Sequence, residues 1–283
     1  MRTLLTVVGD GNATPVLETA LLAARKFDGR IIGLNALTTE YAVVFGGEMG
    51  FSVSSEVDRT LEREGQDRRE QARTLFEGFM RRSGVPVTAS DAVPKEGVSA
   101  EWREESGRQN AVVGSLGRVF DLIVVERPAK LASLAEATLE DALFESGRPV
   151  LMAPPKPLAT IGEHIVIAWN ASTETARTVA LSMPYLTLAR SVQVLSVESA
   201  MQPGPSGEDL AAALRLRGIA VTSRMITAPN RQAGEVFLTE AKAAQCDLLV
   251  KGAYTQSRLR QMIFGGATRH IIMEADIPVI LAH

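Results

Sequence analysis

Cysteine, histidine and long apolar runs are scarce in this chain of 283 residues. Its one cysteine, Cys246, excludes an intramolecular disulfide framework and a zinc site built on several thiolates. Its three histidines show no ligand spacing with one another or with a carboxylate, which argues against a metal site formed by the protein alone. No stretch approaches the roughly 18 uninterrupted apolar residues that a membrane span needs, so we expect no membrane partner.

A strong charge of either sign is also lacking. The 30 Lys and Arg residues are balanced by 33 Asp and Glu residues, which gives a net charge of −3. Proteins that bind nucleic acid in general are usually basic, so we expect no nucleic-acid partner. The first residues, MRTLLTVVGDG, lack a secretory cleavage pattern, and a cytoplasmic protein is the expectation. No Gly-x-Ser-x-Gly elbow and no Walker A motif occurs, so nothing predicts a catalytic residue.

An internal repeat is the main positive feature of the sequence. Three pairs of segments correspond in order: 4–25 with 164–186, 120–128 with 246–254, and 147–154 with 275–283. Between the two sets lie Pro154, Pro155 and Pro157, and proline interrupts both helices and central strands. The sequence therefore predicts two domains, a first copy (1–154) with an expanded 40–84 region and a second copy (160–283), joined near 154–160.

Strands and helices alternate in both copies. The predicted strands are 4–8, 30–37, 85–93, 121–125 and 150–153 in the first copy, and 165–168, 192–197, 219–226, 248–251 and 279–281 in the second. Continuous apolar strands are typical of a parallel sheet covered by helices on both faces, so we predict an open, doubly wound α/β fold with five strands per copy. The polar stretch 54–82 predicts an amphipathic helix, whose apolar face carries Val57, Leu61, Ala72, Leu75, Phe76 and Phe79.

The loop after the fourth strand of the second copy has the composition of an anion site. Gly252 follows the strand, and Gly265 and Gly266 open a helix, whose first backbone N–H groups would suit phosphate. Ser257 and Thr268 could add hydroxyl donors. The segment 248–273 contains no acidic residue. Ligands bind to such folds at the carboxyl ends of the strands, which is where this loop lies.

Charge separates the two copies at this place. The segment 248–273 carries Lys251, Arg258, Arg260 and Arg269, whereas the matching segment 122–144 has a net charge of −2 and no glycine. An anion site is therefore predicted in the second copy alone. The alternative interpretation is an ordinary strand end and turn with solvated arginines.

These segments resemble a known family. GAYTQSRLRQMIFGGATRHIIMEADIPVILAH, at 252–283, resembles the end of universal stress protein (UspA-family) domains, in which a Gly-x-x-Gly-x(9)-Gly-[Ser/Thr] pattern binds ATP in the nucleotide-binding members. AWNASTETARTVA, at 168–180, is similar to the first strand and helix of that family, and the duplication resembles its tandem form. The resemblance implies two tandem Rossmann-like (HUP-type) domains, each a five-stranded, mostly parallel sheet with helices on both faces.

The resemblance also implies an assembly and a binding site. The strands at 150–153 and 279–282 would pair antiparallel in an internal pseudo-dimer, and homo-oligomers are expected. ATP, with Mg²⁺, would be the cofactor, and no metal would be held by the protein alone. The implied nucleotide-binding residues are Ala168, Asn170, Val197, Gly252, Thr255, Ser257, Arg258, Gly265, Gly266 and Thr268.

The family pattern is incomplete in both copies. Thr255 stands at the second glycine and Gly266 at the Ser/Thr position of the second copy. Asn170 stands where many members have an acid, which the first copy retains as Asp10 but without the phosphate loop.

The sequence therefore leaves two hypotheses for the function. One is a stress-response regulatory module that binds an adenine nucleotide in the second copy without strong catalysis. The other is a nucleotide-independent scaffold or dimerisation protein. An enzyme on a related fold ranks last.

Two local questions stay open in the sequence. Trp169 either stacks on an adenine or packs as a half-buried aromatic, and Trp102, taken to follow the third strand, is interpreted as packing. The apolar segment 41–55 is either a lid or oligomer contact, or a disordered excursion.

Overall fold

Strands and helices alternate through both copies of the repeat in the computed structural model, which describes residues 1–9, 13–37, 55–89, 96–156, 159–253 and 266–283. The strands are β1 (Thr3–Val7), β2 (Arg30–Leu37), β3 (Ser99–Ser106), β4 (Leu122–Glu126), β5 (Val150–Ala153), β6 (His164–Trp169), β7 (Ser191–Val197), β8 (Val221–Ile226), β9 (Leu248–Gly252) and β10 (Val279–Ala282). The helices are α1 (Thr14–Phe27), α2 (Ser55–Arg82), α3 (Gln109–Leu116), α4 (Leu134–Glu145), α5 (Thr173–Leu181), α6 (Met183–Leu186), α7 (Gly207–Arg215), α8 (Ala233–Ala243) and α9 (Gly266–Glu274).

All ten strands form one sheet, in the order β3-β2-β1-β4-β5-β10-β9-β6-β7-β8. Within each copy every pairing is parallel, and the strand order is the same when it is read outward from the joint. The copies meet where β5 and β10 pair antiparallel, with Leu151 opposite Ile280. The predicted α/β fold and the predicted pairing of 150–153 with 279–282 are therefore confirmed.

Helices cover both faces of this sheet. One face, called here the α5 face, packs against α1, α2, α5, α6 and α7, and its core runs through both copies. The other, called the α9 face, packs against α3, α4, α8 and α9. Side chains alternate between the faces along each strand. In β9, Leu248 and Val250 lie on the α5 face and Leu249 on the α9 face, as does Ala253 directly after the strand.

The aspartate that is repeated at 121 and 247 has the same structural role in both copies. The Asp121 carboxylate accepts hydrogen bonds from the backbone N–H groups of Arg2 (2.6 Å) and Thr3 (3.1 Å). Asp247 accepts one from His164 N–H (2.9 Å) at the start of β6. Burial alone would raise the pKa of Asp121, but these bonds outweigh it and the pKa is lowered. Both aspartates thus join the first and fourth strands at the edge opposite to the predicted ligand edge.

The predicted third strand, 85–93, is wrong. The third strand is β3, and the segment before it makes one isolated bridge, Val87 with Ala100. Pro86 accepts a hydrogen bond from Ala100 N–H (2.9 Å), but it has no N–H of its own with which to extend a ladder. The last part of the predicted strand, 90–93, lies outside the described residues.

The amphipathic helix predicted at 54–82 is confirmed as α2, which buries Ala72, Phe76 and Phe79. The prediction that Leu75 lies on the buried face is wrong, because Leu75 is 36 % exposed, whereas Met80, which the pattern did not include, is fully buried there. Val57 and Leu61 belong to α2, but their side chains are not described.

Trp102 has the packing role that was predicted, and the element against which it packs is α2. Its ring lies 5.4 Å from that of Phe76, measured between centroids. Its position differs from the prediction, since Trp102 belongs to β3 itself and does not follow the third strand.

The proline-rich joint lies between β5 and β6 in the sequence. The division into domains at 154–160 stays a prediction. Across the joint, the rings of Phe27 on α1 and Tyr185 on α6 make an edge-to-face contact with centroids 4.8 Å apart. No helix in the described ranges has the length and apolar character to cross a bilayer.

Candidate functional site

The carboxyl ends of β6 and β9 form the candidate site. β6 pairs with β7 on one side and with β9 on the other, so the strand order reverses at β6. Such a switch point leaves a crevice beyond the strand ends in open α/β sheets. Ala168 and Val197, at the ends of β6 and β7, are fully buried on the α9 face, in the positions that the resemblance gives to residues beside the base and ribose.

Trp169 packs in the core. It is 3 % exposed on the α5 face, and its Nε1 donates a hydrogen bond to the backbone oxygen of Pro205 (3.0 Å). The packing interpretation is therefore confirmed, although the ring is fully and not half buried. Stacking on a base is excluded for a ring in this position.

Asn170 holds the start of α5 in place. Its Oδ1 accepts hydrogen bonds from Thr175 Oγ1 (2.6 Å) and from the Ser172 backbone N–H (3.3 Å). Ser172 in turn caps α5 by accepting from Thr175 N–H. The Nδ2 group of Asn170 makes no hydrogen bond with the part of the chain that the structure describes. Only that amino group is therefore left for a ligand.

The loop between Asn170 and α5 is held by the segment that follows β7. Ala171 has φ 63°, in the left-handed region, which costs an alanine about 1 kcal/mol. The backbone N–H of Gln202 donates to the Asn170 backbone oxygen (2.9 Å). This tether, together with the Trp169–Pro205 bond, keeps the turn in its strained form.

Gly252 has a packing role that the sequence did not predict. A Cβ placed on it would collide with the backbone nitrogen of Thr175 and would lie 2.6 Å from the Oγ1 of the same residue. The first turn of α5 therefore lies directly against β9 at Gly252, and no larger residue fits. The ligand role assigned to Gly252 stays a prediction, but this contact accounts for the glycine without a ligand.

The first turn of α9 is open and free of acid. Gly266 is exposed, and a Cβ on it would have no atom of the described residues within 4 Å. Thr268 is 6 % exposed, and no acidic residue lies in the first turn. Gly234 lets α8 approach closely, since a Cβ there would lie 2.7 Å from the Ala267 backbone oxygen. The start of α8 thus fixes the start of α9 at this edge.

Lys251 is the residue whose burial was not expected from the sequence. It was counted only as one of four positive charges, but it is 3 % exposed and lies between Leu249 and Ala253 on the α9 face. Its Nζ donates a hydrogen bond to the Gly252 backbone oxygen (2.8 Å). Burial lowers the pKa of Lys251 to about 8, against a smaller opposing effect of the Glu174 carboxylate. The available signal was a charge inside an otherwise apolar central strand, LLVKG.

Several predicted site residues lie outside the described part of the chain. They are Asp10, Thr255, Ser257, Arg258 and Gly265, and the segment 41–55 also lies there. Of the implied nucleotide-binding residues, the structure brings Ala168, Asn170, Val197, Gly252, Gly266 and Thr268 to the carboxyl edge of the second copy.

The described residues at this edge offer a positive charge and hydrogen-bond donors. No group of three His, Cys, Asp or Glu side chains that could hold a metal occurs among the described residues. Burial raises the pKa of the Cys246 thiol to about 12, so it is not an activated nucleophile. What remains is a cation, backbone donors and a hydroxyl, which suit an anion.

The first copy has different residues at the equivalent carboxyl edge. Val125 and Glu126 stand where the second copy has Lys251 and Gly252. At the start of α4, the Ala132 N–H donates to Glu136 Oε2 (2.5 Å) and the Glu136 N–H to Ser133 Oγ (3.2 Å). The start of α4 is therefore capped by its own side chains, whereas no side-chain cap of α9 occurs among the residues that the structure describes.

Residues 166–283 match the model of the universal stress protein family. This match covers nearly all of the second copy. Structural similarity to proteins of this name covers both copies. A universal stress protein from Archaeoglobus fulgidus DSM 4304 has a TM-score of 0.68 at 15 % identity, over 99 % of this chain and 95 % of that one. A protein of the same family name from Pseudomonas aeruginosa UCBPP-PA14 has a TM-score of 0.54 at 16 % identity, over 100 % and 93 %.

At these identities the similarity shows the fold. A search of curated proteins finds no significant match to the sequence. The universal stress protein fold thus extends over the whole chain, and the match to the family model lies in the second copy.

Proposed function

We propose that the second copy binds an adenine nucleotide, with ATP as the first candidate, at the carboxyl edge of β6 and β9. The chain would act as a regulatory module of the stress response without strong catalysis. The observation that carries this proposal is the acid-free start of α9, which no described side chain caps, set against the self-capped start of α4. A helix start with unused N–H groups favours a phosphate.

The described residues suit the parts of such a ligand. Ala168 and Val197 offer an apolar border for the base, and Asn170 Nδ2 could donate to a ribose hydroxyl. Gly266 N–H and Thr268 Oγ1 would hold phosphate oxygens. The sequence adds Gly252, Thr255, Ser257, Arg258 and Gly265 to this set. No acid lies in the first turn of α9, so Mg²⁺ would arrive with the nucleotide and keep mainly phosphate and water ligands.

A charge placed at Gly266 tests the proposal. Gly266→Asp adds a carboxylate at a place where no described residue would meet the new Cβ, and an acid at a helix N-terminus does not weaken the helix. We expect it to weaken Mg-ATP binding at least about tenfold in isothermal titration, through like-charge repulsion. Gly266→Asn has nearly the same shape without the charge, and we expect it to bind within about threefold of the parent chain.

Failure would take a clear form. If the parent chain gave no heat and no thermal stabilisation with millimolar Mg-ATP, the proposal would be abandoned. Equal binding by the Asp and Asn variants would move the phosphates away from α9.

A nucleotide-independent scaffold is the second candidate. It is favoured by the structural roles of two of the implied site residues. Asn170 accepts a hydrogen bond from Thr175 of α5, and Gly252 packs directly against that helix, and neither contact needs a ligand. In that case Mg-ATP would change neither the unfolding temperature nor the state of association. Deletion of 41–55 would then alter the oligomers that the resemblance leads us to expect, as measured by analytical ultracentrifugation.

A further inference from the structure

Lys251 is a buried cation at the end of a central strand. The residue is only 3 % exposed. Its Nζ donates a hydrogen bond to the backbone oxygen of Gly252, which is the last residue of β9. An ammonium group has three N–H donors. Gly252 accepts one of them, and no other acceptor occurs among the residues that the structure describes.

The charge of Lys251 has no described carboxylate partner. None of the ion pairs in the described ranges includes it, and the Glu174 carboxylate acts on it only from beyond ion-pair distance. The chain that follows β9 cannot provide one either, because 248–273 contains no Asp or Glu. Burying an unpaired charge is costly, and proteins normally neutralise it with a partner.

The fold itself does not require this lysine. The equivalent residue of the first copy is Val125, which is 1 % exposed in the equivalent strand β4. Valine fills that position with apolar atoms and brings no charge. The second copy therefore carries an extra cation at a place where the same fold is stable without one.

The surroundings of Lys251 place this cation at the candidate site. Its side chain lies on the α9 face, the face that also bears Ala168 and Val197. Ile271 and Ile272 of α9 pack on that face, and Gly266 and the buried Thr268 belong to the first turn of the same helix. Lysine's four-carbon stem allows the ammonium to turn from a backbone oxygen to a ligand oxygen.

We propose that Lys251 is the phosphate anchor of the second copy, and that its ammonium pairs with a phosphate oxygen of the bound nucleotide. This inference rests on the proposed nucleotide site. It adds that the phosphate-dependent part of the affinity comes from Lys251, and not from the start of α9 alone. A ligand without phosphate then gains nothing from Lys251.

Three probes separate these contributions: Mg-ATP, adenosine and inorganic triphosphate. We expect Lys251→Met and Lys251→Gln, in the full chain, to weaken Mg-ATP binding by about tenfold to a hundredfold, as for the loss of a charge-assisted hydrogen bond. Adenosine should bind within about twofold of the parent chain. Stabilisation by triphosphate in thermal unfolding should disappear. Arg177→Met, which removes an exposed positive charge from α5, is the control and should leave all three unchanged.

The outcomes are distinguishable. If both Lys251 variants bind Mg-ATP as the parent chain does, the phosphate-anchor role is overturned while the nucleotide site stands. An equal loss of adenosine and ATP binding would also overturn it, because Lys251 would then act through packing. If the parent chain binds neither ATP nor adenosine, both proposals fail. Circular dichroism checks folding, and the Gln variant, which keeps a polar end, decides the result if the Met variant is misfolded.

Discussion

The two copies share one strand order but finish the fourth strand in opposite ways. In the first copy Val125 is followed by Glu126, Ser133 accepts from the Glu136 N–H in the first turn of α4, and Glu136 accepts from the Ala132 N–H just before that helix. In the second copy Lys251 is followed by Gly252, and α9 begins without an acid. The two copies thus share their strand order and the repeated aspartates, while the side chains at the carboxyl edge of the fourth strand differ within a few residues.

The largest expected effect comes from Gly252. Gly252→Val should destabilise the chain by about 4 kcal/mol, because the new Cβ would meet the Thr175 backbone nitrogen and not a movable side chain. Urea unfolding at neutral pH measures this. The equivalent position of the first copy already carries an exposed side chain, so Glu126→Val is the matched variant, and we expect it to change stability by less than about 1 kcal/mol. If both variants lost the same stability, the close packing at Gly252 would not distinguish the second copy from the first.

The next effect depends on pH and concerns Lys251. Its folded pKa is about 8 against an ordinary 10.5, so the unfolded chain binds this proton more strongly between these values. The contribution of Lys251 to the free energy of unfolding therefore rises with pH through that window. Below pH 8 the burial penalty is complete, and Lys251→Met should be more stable than the parent chain by about 3 kcal/mol.

Comparing the free energies of unfolding of the parent chain and the Lys251→Met variant at pH 7 and at pH 9.5 cancels the contributions of the other titrating groups. The difference between parent and variant should shrink at the higher pH. The reciprocal change, Val125→Lys, should destabilise the first copy at pH 7 by a similar amount. A difference that stayed constant with pH would contradict the buried charge.

The smallest effect concerns the start of α4. Glu136→Ala removes the acceptor of the Ala132 N–H, and a lost helix cap costs about 1 kcal/mol. Glu136→Gln keeps an acceptor oxygen of the same length, so it should retain most of that stability. Hydrogen exchange at Ala132 would report the change locally. Exchange that is as slow in the Ala variant as in the parent chain would show that α4 is closed by something other than Glu136.

The apolar strands were predictable because burial on both faces leaves a continuous pattern in the sequence. Short apolar runs such as LIVV and LLV are typical of central parallel strands, and the repeat then fixed their order. β3 was missed because SAEWREES is an edge strand, whose outer residues can be charged. The segment near Val87 alternated better, but Pro86 limits it to one bridge. The helices α3 and α8 were not predicted either, although each buries part of the α9 face.

The candidate site was predictable in its position more than in its contacts. Glycines and the absence of acid pointed to the carboxyl edge of β9, but no pattern in the sequence shows that α5 presses on Gly252. The burial of Lys251 was equally hidden, since it depends on which helices cover that part of the sheet. Such contacts join residues that lie about 75 positions apart, Thr175 and Gly252 among them, and local periodicity does not record them.

The antiparallel contact of β5 with β10 has a consequence for symmetry. It arranges the two copies like the subunits of a two-fold dimer, with their carboxyl edges at opposite ends of one sheet. A dimer of identical chains must repeat every substitution at both ends. Because the two copies are joined in one chain, their sequences can differ, so Val125 and Lys251 can occupy equivalent positions. The molecule therefore has two carboxyl edges of different chemistry on a single sheet, and a substitution at one edge is not repeated at the other.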